Sequence, residues 1–187
     1  MNHPKKNALR ILIVDDNHDA ADSLACLLEL SNYEVRVAYD GKVGLLATRD
    51  FAPDCLLTDI SMPGLDGYEL ARHVRAEADL ASVKLVALSA YTDEEHVRKT
   101  SEVGFDYRLT KGCDLEKVLE VLKMIEEIKN LATKTQELAQ QNVELAGQTK
   151  ELIREVKEEV KEVKHEVKEL KQEVKELRED HKKSSGE

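Results

Sequence analysis

Asp15 and Asp16 close the apolar run LRILIVDD (9–16), Asp59 closes DCLLTD (54–59), Ser89 sits near the end of VKLVALSA (83–90), and Lys111 ends GFDYRLTK (104–111). Three carboxylates gathered at one place repel each other unless something positive sits among them. A hard divalent cation is the natural occupant. Mg²⁺ takes oxygen ligands, keeps several waters, and is held by one or two carboxylates together with phosphate oxygens. Lys111 adds a point charge able to meet a phosphoryl group, and Ser89 a hydroxyl able to donate to it. A carboxylate attacking phosphorus gives an aspartyl phosphate, with the cation screening the charge that builds up. Asp59 is the candidate nucleophile. Each residue taken alone has an ordinary rival role: Asp15 and Asp16 as a helix-capping pair, Ser89 as a strand-end hydroxyl, Lys111 as a solvated lysine.

With YEVRVAY (33–39), the apolar runs number five and alternate with amphipathic stretches near 18–31, 41–50, 66–77 and 92–102; a further helix begins after Asp114, a plausible N-cap. This alternation predicts an α/β fold, a parallel sheet with helices on both faces. In an open sheet of that kind ligands bind outside the carboxyl ends of the strands, where these side chains are placed.

The segments IVDD (13–16), TDISMPGLDGYEL (58–70), LSA (88–90) and GFDYRLTK (104–111) resemble, in order and spacing, the receiver domain of bacterial two-component response regulators, over roughly residues 8–128. The resemblance implies a flavodoxin-like doubly wound fold with five parallel strands. It implies that Asp59 is the phosphoacceptor, Asp16 a direct Mg²⁺ ligand, Asp15 a ligand through water, and the main-chain carbonyl of Ser61 a further ligand. Ser89 then corresponds to the hydroxyl that follows the phosphoryl group, and Lys111 to the phosphate-pairing lysine. A sensor histidine kinase or phosphotransfer protein is the implied donor, and the domain is no enzyme beyond its own phosphorylation and dephosphorylation. Two positions depart from the family: Arg108, with Tyr107 before it, stands where a switch aromatic is usual, and Gly112 where Pro follows the lysine. An arginine does not bury as an aromatic does, and the glycine is expected to loosen the loop that carries Lys111. Ser89, Arg108 and Tyr107 form the expected switch.

The formal charge of −10 argues against a general nucleic-acid binder, because neutralising phosphates needs a basic face. Cys26, Cys55 and Cys113 match no metal or disulfide spacing and read as reduced thiols. The histidines likewise show no ligand spacing and read as surface residues. No apolar run reaches the length of a membrane span, the N-terminal run is too short for a signal-peptide core, and the expected location is cytoplasmic.

Beyond Asp114 there is no Pro and no aromatic residue among the 187 residues, so the rest of the chain reads as helix. A coiled-coil pattern runs from Leu131 to His181. Leu131, Leu138, Leu145 and Leu152 occupy d, with Asn142 and Val156 among the a positions. An extra step of four near Val156 and Val160 is a stutter. After it Val160, Val167 and Val174 take a, and Val163, Leu170 and Leu177 take d. Glu159, Glu166 and Glu173 at g meet Lys164, Lys171 and Arg178 at e in a parallel pair, so a parallel homodimer is expected, with an isolated solvated helix as the rival. Carried backward, the seam includes Ile128, Met124 and Val121, so the last receiver helix is expected to run into the coil unbroken. The expected organisation is a tail (1–7), a receiver domain (8–128), a parallel dimeric coiled coil (129–181) and a frayed end (182–187). The expected function is a response regulator with a coiled-coil output toward an unknown downstream protein. The alternatives are a scaffold, or a phosphate sink, in which the receiver is a docking module.

Overall fold

The apolar runs become five short strands of β-branched and leucine residues, each stopped by a polar or glycine-bearing turn. A computed structural model describes residues 8–90 and 94–184. The expected tail 1–7 and the last residues of the expected frayed end, 185–187, lie outside the described residues. The strands are β1 (Arg10–Val14), β2 (Glu34–Ala38), β3 (Cys55–Asp59), β4 (Lys84–Ser89) and β5 (Tyr107–Thr110). The helices between them are α1 (His18–Leu30), α2 (Gly41–Phe51), α3 (Gly67–Ala76) and α4 (Glu94–Val103), and α5 (Leu115–Ser184) follows the last strand. All strands pair in parallel in the order β2-β1-β3-β4-β5. This is the parallel sheet that the alternation predicts, in the flavodoxin-like doubly wound arrangement that the resemblance implies.

Position in the sheet explains the strand compositions. The central strands β1, β3 and β4 are buried on both faces and therefore read as nearly continuous apolar runs. The outer strand β2 carries an exposed Arg36, whose guanidinium lies 4.4 Å over the Phe51 ring and bonds Asp50 at 2.8 Å. Alternate strand residues feed two cores. Leu12, Val14, Leu56, Leu85 and Ala87 pack with α2 and α3 on one face. On the other, Ile11, Ile13, Leu57, Val86 and Leu109 pack with α1 and the start of α5.

Helix α5 presents two apolar stripes in its first turns. Val118, Leu122 and Ile125 are buried against the sheet, whereas Met124 and Ile128 are exposed. The seam carried back from the tail thus lies beside the stripe that holds the helix to its own domain. At Lys129 the helix is tied again: its ammonium meets Asp54 Oδ2 at 2.7 Å, and that oxygen also accepts the Arg10 N–H at 2.9 Å.

The chain divides into two units, one ending at Asn130 and the other beginning at Leu131. Residues 131–184 of the second unit form a single unbroken helix, and the seam residues Leu131, Leu138, Asn142, Leu145, Leu152, Val156, Val160, Val163, Val167, Leu170, Val174 and Leu177 are exposed on it. The helix continues through Ser184. Among the described residues no helix is long and apolar enough to cross a membrane.

Candidate functional site

Strands β1 and β3 are neighbours; β3 ends on an acid, and two acids directly follow β1. The loop after β1 starts with Asp15, buried, followed by Asp16, exposed; Asp59 is the last residue of β3 and is buried. Carboxylate oxygens of all three lie within 4.8 Å of one another. Lys111, directly after β5, reaches across: its Nζ stands 2.8 Å from Asp59 Oδ2 and 3.1 Å from Asp15 Oδ2. Burial would push the lysine pKa down. The bonds and charges of Asp59 and Asp15 outweigh that and leave it raised, so the ammonium is held in its charged form.

Local sequence fixes each of these groups. Asn17, not Asp15 or Asp16, caps α1: its side chain accepts the Ala20 N–H at 3.1 Å, while its own N–H donates to Asp15 Oδ1 at 2.9 Å. The helix-capping reading of the acid pair is thereby displaced, and Asp15 is turned toward the site. Spacing arguments passed over Asn17, although an Asn directly before a helix is a cap signal that was available to them.

Asp59 is held from behind. Ile60 N–H donates to Leu88 O at 3.2 Å, and Thr58 Oγ1 donates to the Asp59 carbonyl at 2.9 Å. The loop that follows returns at Gly67, whose N–H donates to Ile60 O at 3.0 Å. Helix α3 starts there under a capping box between Asp66 and Glu69. A Cβ at position 67 would run into the Asp59 carbonyl oxygen and lie 2.8 Å from Ile60 Cα, so this position requires glycine. Ser61 lies exposed in this loop, two residues beyond Asp59.

The β5–α5 loop carries backbone hydrogen bonds on both sides of Gly112. Lys111 N–H donates to Ser89 O at 2.9 Å, and Cys113 N–H closes a turn on Thr110 O at 3.0 Å. Gly112 in that turn has φ +78, which a type II turn needs at its third residue and which proline cannot adopt. The glycine therefore shapes a hydrogen-bonded turn under Lys111.

Ser89 is buried at the end of β4, and Leu88 before it registers with Asp59. Tyr107 is half-buried on the α1 and α5 side of β5. Arg108 is half-buried too, with its Nε and Nη2 atoms inside the protein. Of the histidines read as surface residues, His18 is exposed and stacks on Tyr39 at 3.9 Å between ring centroids, while His96 is half-buried.

The donor set fits a hard divalent ion: three carboxylates, two of them buried, with one side open at Asp16. Among known proteins, the response regulator receiver domain profile matches residues 11–123. The chain is 32% identical over 109 residues to the gliding motility regulatory protein of Myxococcus xanthus, covering 58% of this chain and 14% of that protein. It is 30% identical over 110 residues to the DNA-binding dual master transcriptional regulator RpaA of Synechocystis, covering 59% and 46%. The chain thus spans less than half the length of these two relatives. The solved structure of the chemotaxis protein CheY4 of Vibrio cholerae superposes with a TM-score of 0.61 at 25% identity, covering 63% of this chain and 98% of that one. A profile that spans all five strands, on a sheet of this order with acids clustered at its carboxyl rim, places this chain in the response regulator receiver domain family.

Proposed function

We propose that the protein is a two-component response regulator that accepts a phosphoryl group on Asp59 and passes the change to a dimeric coiled coil. The observation that carries this reading is the Lys111 ammonium bonded at 2.8 Å to a buried Asp59 whose carboxylate also adjoins Asp15 and Asp16. Asp16, Asp59 and the Ser61 carbonyl would hold Mg²⁺, with Asp15 acting through water; the ion screens the negative charge of the transfer. An Asp59 oxygen attacks phosphorus, and the bond from phosphorus to the donor's histidine nitrogen breaks, with that nitrogen keeping the electron pair. Lys111 then pairs with a phosphoryl oxygen, and Ser89 donates to another.

The donor is a sensor histidine kinase or phosphotransfer protein, and the work of the domain is signalling. The output is a parallel homodimer through residues 129–181, supported by the exposed a and d residues and by the e and g charges of opposite sign. The downstream partner is a protein, because the helix carries no basic region of the kind a zipper uses to grip DNA. The site of action is the cytoplasm. The test is incubation of the chain with acetyl phosphate and Mg²⁺ beside Asp59→Asn, with light scattering on both. Labelling and dimerisation are expected for the parent, and no label for the variant; equal labelling rejects Asp59 as acceptor. The exposed seam also favours a second reading, a scaffold or phosphate sink, for which the dimer and its partners would be indifferent to phosphorylation.

A further inference from the structure

Residues 159–179 repeat one heptad as EVKEVKH, EVKELKQ and EVKELRE, with Glu at g and c, Lys at b, and Lys or Arg at e. Residues three and four apart lie side by side on a helix, so b and e share one flank of the apolar seam and c and g the other. One flank is cationic along its length, the other anionic. Lys161 neighbours Lys164, and Lys164 neighbours Lys168; Glu159 neighbours Glu162, and Glu162 neighbours Glu166. Between Glu159 and Glu176 no Lys stands three or four places from a Glu. Like charges at those spacings destabilise an isolated helix. Attractive contacts are marginal: Lys161 reaches back to Glu158 at 2.6 Å, and His165 Nδ1 stands 3.4 Å from Glu169 Oε1, an attraction present only when the imidazole is protonated. Val160, Val163, Val167 and Val174 add β-branched side chains, which lose rotamer freedom in a helix, and all four are exposed on it. Neither its own charges nor its own packing holds this stretch helical.

We infer that residues 159–178 hold a helix only against a parallel second copy of this chain, so that ordering of the segment and pairing of the coil are one event. The inference rests on the proposed pairing and adds that pairing makes the helix. A parallel copy answers both deficits at once. It covers the valine and leucine seam, and it lays the anionic flank of one helix along the cationic flank of the other: Glu159 of each copy meets Lys164 of the other, Glu166 meets Lys171, and Glu173 meets Arg178. An antiparallel copy would bury the same seam but set like flanks together. The outward b, c and f residues are then ordered only in the pair, so the surface offered to a downstream protein is created by association.

The test uses the full chain, with light scattering for mass, far-UV circular dichroism for helix and hydrogen exchange for residues 159–178. Val163→Ala, Leu170→Ala and Leu177→Ala together strip the d side of the seam while installing the best helix former. A self-supporting helix would gain order from these changes. The triple variant is expected instead to be monomeric where the parent is a dimer, with loss of ellipticity and of exchange protection across 159–178. Salt supplies a second sign. In about 1 M NaCl, which screens exposed charges, the monomeric variant should regain helix, whereas a helix held by opposite charges would lose it. Dilution of the parent gives the same readout without substitution: ellipticity should fall as the dimer dissociates. A monomeric variant that keeps the parent's ellipticity and protection overturns the inference, and so does a triple variant that pairs as tightly as the parent. Light scattering on the parent separates the two claims: a parent that stays monomeric rejects the proposed pairing and this inference with it. A dimeric parent beside a monomeric but fully helical variant rejects the inference alone.

Discussion

Replacing Lys111 with methionine keeps the length of the side chain and removes its charge. Two carboxylates, Asp59 and Asp15, are then left almost wholly buried, with side-chain exposures of 5% and 4%, next to the open Asp16. Breaking a buried ion pair by removing one partner costs about 3–5 kcal/mol; the lysine is 32% exposed, and discounting for solvent screening leaves about 2 kcal/mol. For a unit of this size that is a fall of about 8 °C in melting temperature. All aromatic residues precede Asp114, so tyrosine fluorescence reports the receiver unit without interference from the long helix. The deficit is to be measured in metal-free buffer across pH. The folded protein holds the lysine pKa above its ordinary value, so its contribution is full below about pH 10.4 and fades as pH rises through the folded value. The deficit should therefore hold steady through neutral pH and shrink above about pH 10.4. A variant as stable as the parent at pH 7, or a deficit of constant size from neutral pH into alkali, would refute an electrostatic role for Lys111.

Gly67→Ala should destabilise the receiver by about 1–3 kcal/mol, read from urea unfolding, because its Cβ meets backbone at Asp59 and Ile60. Leu122→Ala, at a fully buried position of the first α5 stripe, should cost about 2–5 kcal/mol in the same assay. Leu170→Lys with Val174→Asp places charges on two exposed seam positions and should abolish self-association by light scattering while leaving Asp59 labelling intact; loss of labelling as well would show that the two units are not independent in this respect.

The parts legible in the sequence are those governed by short-range pattern. Each central strand is buried on both faces and so announces itself as an unbroken apolar run, and the rule that ligands gather at strand ends draws attention to Asp15, Asp59, Ser89 and Lys111 before any coordinate is known. What escaped are pairings set by the fold alone. Lys129 and Asp54 are 75 positions apart and carry no shared motif, yet they bond at 2.7 Å. Arg108 reads as a side chain ill suited to burial, yet the fold encloses its Nε and Nη2 atoms. The tail periodicity merged Val121, Met124 and Ile128 with the coil, while the sheet selected Val118, Leu122 and Ile125, one helix face further round. Heptad spacing says which residues share a stripe, not which stripe a neighbouring sheet will cover.

The contact between Gly67 and the back of Asp59 constrains how this loop can be diversified. A library randomised across residues 60–69 and selected for folding should return many letters at the exposed Ser61 and a single letter at 67, because there the backbone of Asp59 occupies the room a side chain would take. Engineers who wish to retune the rim can vary what surrounds the Asp59 carboxylate on its solvent side, but on its inner side the alphabet has one member.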